Sequence, residues 1–403
     1  MRPLPVKAAL AALLSATLLV TTPALSASAA SRPGQVGLVS FVGASVSSSS
    51  ATLTVDWSDV AGAKKYEVFA STSYDALPKK TSPSATVTAS KATITGLSKG
   101  KDYFVQVRAV NSAGNGPRSW RVGHRSMVSE ATAAATRLRA VTWNVCSYQC
   151  SGIVSRAKVI KSRIAELKAD VVGFQEASKV NVAPSGYAFA YNGQNDILYR
   201  KAAFTKVAAK SGGPTSGYAR AGKKHASPGQ GFAWAALKSS AGQYMVVVSA
   251  HLLVGTKGAA LKQREYEASR LQPFISRQLA SLQKSHGSLT DWTNAPVIVL
   301  GDTNTQKGRT GDDTLAILEK AGWHDAFEQA HSLTRQHHST ANSEMSTKPQ
   351  VGITWGAHID KVLVRPSRTI VYKWANAGEM SGSRYVTPLG SDHHPLLVEL
   401  AVR

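Results

Sequence analysis

Tyr244-Met245-Val246-Val247-Val248-Ser249-Ala250-His251 decides the fold. Four apolar residues follow one another at its centre, and successive side chains of a strand point to opposite faces, so a strand here must be covered on both sides. That need is met by packed sheets sheathed by helices. The stretch closes on a histidine, and an apolar strand joined to a polar group recurs along residues 138–403. The strand 140–145 carries Asn144, 171–174 leads to Gln175-Glu176, and 297–300 leads to Gly301-Asp302-Thr303-Asn304. Near the end, 359–364 begins at Ile359-Asp360, and Ser391-Asp392-His393 stands just before a strand at 396–402. Further strands are read at 197–199 and 232–237. Ile153, Ala157, Ile160, Ile164 and Leu167 recur at helical spacing, and 259–282 and 314–321 also read as helices. Strands alternating with helices place the polar groups along one edge of a sheet.

Residues 31–126 differ. Ala51-Thr52-Leu53-Thr54-Val55-Asp56-Trp57, Lys65-Tyr66-Glu67-Val68-Phe69-Ala70 and Tyr103-Phe104-Val105-Gln106-Val107 alternate without intervening helices, the pattern of a small all-β sandwich. Trp57, Tyr66, Leu97 and Tyr103 fall on its core side. Residues 127–137, rich in Ala, Thr and Ser, read as a linker. Residues 1–30 have the layout of a secretory signal peptide: Arg2 and Lys7, an apolar run over 8–20, then small residues to Ala29-Ala30. The run is too short to span a bilayer, and no later stretch is apolar enough for a transmembrane segment. The expectation is a secreted protein, in which Cys146 and Cys150 form a disulfide that steadies the loop after Asn144.

The chain carries a formal net charge of +23. Between Asp196 and Glu265 there is no acidic residue, while Lys201, Lys206, Lys210, Arg220, Lys223, Lys224, Lys238, Lys257, Lys262 and Arg264 fall inside. A field of one sign concentrates polyanions, which makes nucleic acid the expected partner.

Hydrolysis of a phosphate ester needs charge neutralisation on the phosphoryl oxygens, an aligned water and a group to take its proton. Glu176 and Asp392 supply hard oxygens for a cation, with Asn144 as a neutral ligand or an orienting amide. Asp302 and Asn304, two apart on extended chain, face one water together, Asp302 as base. His251 and His393 stand at strand ends where an imidazole can hold a phosphate oxygen, with Asp360 the partner of His393. Asn195 and Asp196 are candidate substrate contacts.

Trp143-Asn144, Gln175-Glu176, Ser249-Ala250-His251, Gly301-Asp302-Thr303-Asn304, Asp360 and Ser391-Asp392-His393 resemble, in this order, the motifs of the endonuclease/exonuclease/phosphatase superfamily. The resemblance implies an α/β (α+β) four-layer sandwich, with two mixed β-sheets flanked by helices, over 138–403. It also implies a divalent metal at Glu176 and in-line attack by water. It carries metal roles to Asn144, Glu176 and Asp392, water roles to Asp302 and Asn304, and phosphate contacts to His251, Asn304 and His393. Residues 31–126 resemble a fibronectin type III domain, an immunoglobulin-like sandwich, whose ligand would be a polymer or a surface.

The sequence therefore points to a secreted, metal-dependent phosphodiesterase that cleaves DNA or RNA, with Mg²⁺ as the ion and Mn²⁺ or Ca²⁺ as alternatives. His358-Ile359 before Asp360 departs from the inositol 5-phosphatase pattern. One alternative is a sphingomyelinase-like hydrolase of lipid head groups or phosphomonoesters, with Val351-Gly352-Ile353-Thr354-Trp355-Gly356 as its membrane hairpin. The other is a non-catalytic adhesive surface protein.

Overall fold

The computed structural model describes residues 30–403 apart from 38, 74–75, 120–121, 127–135, 179, 210–212, 228, 230, 307–308, 310, 343–344 and 352–357, and for 40, 102 and 122–126 the backbone alone. The expected signal peptide, most of the expected linker and most of the expected membrane hairpin lie outside the described residues. Among the described residues no helix is long and apolar enough to cross a membrane.

Two mixed sheets form the larger part. The first runs in the order Tyr187–Tyr191, Ile197–Arg200, Val171–Gln175, Thr136–Asn144, Leu396–Val402, Thr369–Asn376, Ser332–Thr334. The second runs Phe204–Lys206, Gly231–Ser239, Tyr244–His251, Val297–Asp302, Asp360–Val364, His324–Asp325, with Ser216–Ala219 also on Gly231–Ser239. Val247, Ile298 and Leu300 of the second sheet pack with Ala140, Val171 and Val398 of the first in one buried cluster. The opposite face of Tyr244–His251, through Val246 and Val248, lies under Ala268, Leu271 and Phe274 of the helix Gly258–His286. On the other side Ile160 and Ile164 of the helix Ile153–Glu166 cover Val141, Phe174 and Leu397. The order helix, sheet, sheet, helix is the four-layer architecture that the apolar strand requires.

Two glycines set how closely strands approach. A Cβ on Gly173 would lie 2.6 Å from the Leu300 Cβ of the facing sheet, so only glycine lets the sheets meet there. Gly301 lies within the strand, where a Cβ would meet the Ala250 carbonyl oxygen at 2.5 Å, and the turn falls at Asn304, with φ 51°.

The N-terminal module pairs Ser40–Val46, Ala51–Asp56 and Lys91–Leu97 in one sheet and centres the other on Lys65–Ser71 and Asp102–Asn111. Trp57, Tyr66, Leu97 and Tyr103 are in its core, as expected. Its second sheet is covered on both faces. Val68 and Ala70 point into the module, whereas Phe69 and Phe104 join the cluster that holds Phe327, Ala330 and Trp374 of the larger part. The linker ends earlier than expected, because Thr136 and Arg137 already pair with Val402 and Ala401.

Candidate active site

Register brings distant residues onto one rung. His251 pairs with Asp302 across parallel strands, and Asp302 pairs with Asp360 across antiparallel ones. In the facing sheet Asn144 pairs with Gln175, which places Glu176 just beyond the strand end. Gln175 then ties the sheets together, donating from Nε2 to Ser249 Oγ at 3.1 Å. Cys146, Glu176 and Asn304 all adopt positive φ, at 47°, 55° and 51°. Left-handed backbone at non-glycine residues is costly and gathers where a side chain must be aimed, as at these loop starts.

Asp302 is the centre of the cluster, 2 % exposed. Its Oδ2 accepts from Asn144 Nδ2 at 3.1 Å and its Oδ1 from the Asn304 backbone N–H at 2.9 Å. His251 Nε2 stands 3.6 Å from Oδ2 and His393 Nε2 3.9 Å from it. Burial raises the Asp302 pKa above the ordinary carboxylate range and the Asp360 charge raises it further, while both imidazoles and the Asn144 amide oppose the shift.

The two imidazoles are held differently. His393 Nδ1 lies 2.9 and 3.1 Å from the two oxygens of Asp360, as expected for that pair. Burial opposes its charged form, but Asp360 overcomes this by charge and hydrogen bond and carries the pKa up to about 10. His251 has no such carboxylate behind it, and its Nδ1 is buried without a hydrogen-bond partner among the described residues.

Asn144 Nδ2 also donates to Glu176 Oε1 at 2.9 Å, and its Oδ1 accepts from the Cys146 N–H at 2.9 Å. Through Nδ2, Asn144 serves as an orienting amide for Glu176, one of the two roles open to it. Glu176 and Asp392 both line a cleft of about 520 Å³, together with Asn144, His251, Asp302, Asn304 and His393. An all-oxygen pair of carboxylates facing solvent fits a hard divalent cation. Asp302, Asp360 and His393 also come close enough to hold an ion, but Asp360 is hydrogen-bonded to His393 and both Asp302 oxygens already accept from Asn144 and Asn304. Cys146 and Cys150 offer no thiolate, because they form the expected disulfide, with Cα atoms 5.5 Å apart.

Asn195 and Asp196 do not reach the cleft. Asn195 is fully buried and donates to the Gly231 carbonyl at 2.9 Å, tying one sheet to the other. Asp196 accepts from the Gly193 N–H at 2.7 Å, and burial pushes its pKa up to about 7. Burial thus replaces the expected substrate contact with a structural one, and Gln194 takes the place on the cleft wall.

Two arginines are buried against expectation, and Arg264, paired with Asp312, therefore does not add to the positive field of its segment. Arg156 donates to the carbonyls of Val145, Cys146, Cys150, Ser151 and Gly390, binding the disulfide loop to the segment before Asp392. Arg264 pairs with Asp312 at 2.8 Å and donates to the carbonyls of Leu253 and Gly255, bracing the loop after His251 against the loop after Asn304. Each is in phase with its helix's apolar stripe, Arg156 four residues before Ile160 and Arg264 four before Ala268. A cation in an apolar stripe is the signal that marks them. Tyr148, Tyr218 and Arg220 also line the cleft unforeseen as site residues.

Paired carboxylates at a cleft, a buried carboxylate between imidazoles and a four-layer sandwich define a phosphoester hydrolase. Residues 141–393 match the model of the Endonuclease/Exonuclease/phosphatase family, and the chain belongs to that family. Its enzymes generally depend on a divalent metal. Residues 39–125 match the fibronectin type III domain. Among solved structures, the chain is similar to a family protein from Bacteroides thetaiotaomicron, 19% identical over 66% of this chain and 96% of that one, TM-score 0.49. It is also similar to a mannosyl-6-phosphatase of the same organism, 19% identical over 66% and 99%, TM-score 0.47. A third is D. rerio TDP2 in complex with a single-strand DNA product, 18% identical over 66% and 100%, TM-score 0.42. No curated protein matches the sequence significantly.

Proposed function

We propose that the protein is a secreted, Mg²⁺-dependent nuclease that hydrolyses phosphodiester bonds of DNA or RNA. The observation that carries the chemistry is Asp302, buried between two imidazoles at the floor of an open cleft. Asp302 takes the proton of the attacking water as the water oxygen bonds to phosphorus and the ester oxygen departs. Asn304 steadies that water or a phosphoryl oxygen. His393, kept protonated by Asp360, donates from Nε2 to the phosphoryl oxygen, and His251 Nε2 flanks it. Glu176 and Asp392 would hold the metal, with Asn144 fixing the Glu176 carboxylate. When bound, the metal supplies positive charge against the phosphate.

The choice of a polynucleotide rests on charge. The chain carries +23, and the cleft adds Arg220 to an aromatic lining of Tyr148 and Tyr218, groups suited to phosphates and bases. The signal-peptide layout and the disulfide support secretion. Plasmid DNA and RNA incubated at low salt with Mg²⁺, with and without chelator, test the reading. Degradation that the chelator stops is expected; intact nucleic acid at high enzyme concentration would reject it.

A further inference from the structure

A second hollow, of about 570 Å³, is walled by Arg335, Lys348 and Arg384 with His338 and Met380. No described carboxylate lines it. Charges of one sign gathered round one space raise its potential and attract an anion.

The wall is built rather than loosely assembled. Asn342, 1 % exposed, donates from Nδ2 to the carbonyls of Ser346 and Lys348 at 2.7 and 2.9 Å and accepts from the Gln350 N–H at 2.9 Å. This clamps the turn that presents Lys348. Arg384 donates to Thr347 Oγ1 at 3.2 Å, and the neighbouring Tyr385 N–H donates to the Thr347 carbonyl at 2.8 Å. Arg335, at φ 50°, is anchored by Nη1 on the carbonyls of Asn376 and Gly378. The same segment is joined to the active site: Ala341 bridges to His393 and the Asn342 N–H donates to the Asp392 carbonyl.

We infer that this hollow binds the phosphate backbone of a nucleic acid strand extending beyond the bond held in the cleft. The inference rests on the nuclease reading and deepens it. A small monoester, bound wholly in the cleft, has nothing to place there, whereas a strand carries a phosphate at every residue. Lys348 and Arg384 are exposed and touch none of the catalytic groups, so they can be changed without disturbing them.

The test is the double variant Lys348→Glu/Arg384→Glu in the full chain, with Lys348→Arg/Arg384→Lys as the charge-retaining control. Binding of a labelled single strand of about ten nucleotides is followed by anisotropy in chelator, where no cleavage occurs. Charge reversal should weaken binding at least about tenfold and flatten the log–log salt slope by about 1.4, roughly 0.7 for each lost phosphate contact. The control should bind as wild type does. Turnover of bis(p-nitrophenyl) phosphate should be unchanged in both. Wild-type affinity and salt slope in the charge-reversed protein would overturn the inference. So would wild-type protein that binds anionic phosphatidylserine vesicles but no oligonucleotide. Strand binding that needs Lys348 and Arg384, without cleavage by wild type in Mg²⁺, would instead overturn the nuclease reading and leave the hollow as a strand-binding site.

Discussion

The fibronectin type III module and the catalytic domain are both built from apolar strands, yet they treat key buried polar groups in opposite ways. In the module, Tyr103 Oη accepts the Ser98 N–H at 2.9 Å and Tyr66 Oη accepts the Val60 N–H at 2.9 Å, so each hydroxyl pins a nearby turn. In the catalytic domain, register drives Asp302 and Asp360 onto one rung, where burial and mutual repulsion hold Asp302 above its ordinary pKa. A polar group that closes on its neighbour stabilises a fold. One held at a strained balance in an open cleft is available for chemistry.

The sharpest way to break this contrast is Asp302→Asn. It keeps the shape and removes the base, so kcat should fall by about 10²–10⁴ while the thermal midpoint holds or rises. A parallel drop in stability and activity would mean that Asp302 only supports the fold. Asp360→Asn should lower kcat less and change its pH profile. With Asp360 present His393 stays charged until about pH 10; without it, the rate should already decline as pH rises through the ordinary histidine range near about 6.5. An unchanged profile would remove the imidazolium from the account.

Arg156→Met tests whether the loop brace matters to the site. Releasing the carbonyls of Cys146, Cys150 and Gly390 should cost about 10–100-fold in kcat/KM on a diester, because the loops bearing Asn144 and Asp392 lose their common anchor. Gly173→Ala should destabilise the catalytic domain by about 1–3 kcal/mol, since its methyl would collide with Leu300. The smallest effect belongs to the module. Tyr103→Phe should lower its stability by about 1 kcal/mol and leave turnover untouched. A loss of activity there would show that the module acts on the site.

Much of this was legible in the sequence because it rests on local pattern. Apolar runs located the central strands, and the polar residues at their ends are the ones that register gathers. The strand Thr369–Asn376 is not legible as an alternation, because a register shift between Val371 and Lys373 puts Val371 and Trp374, three residues apart, on the same buried face. Arg156 and Arg264 show in the sequence only as cations in an apolar stripe; the loop carbonyls they hold, and for Arg264 the Asp312 carboxylate, are brought to them by the fold. Asn195 and Asp196 misled because a polar pair before a strand looks the same whether it faces solvent or joins two sheets. Phe69 was equally opaque. It takes the outward phase of its strand, and only the structure shows that the catalytic domain covers that face.

The most direct test of the account is hydrolysis of a phosphodiester by the purified protein, measured beside Glu176→Gln as Mg²⁺ is removed and restored. The account requires wild-type turnover that disappears with chelator, returns with Mg²⁺, and is severely reduced in the variant at any Mg²⁺ concentration. Equal rates in the two proteins, or turnover indifferent to chelator, would contradict it.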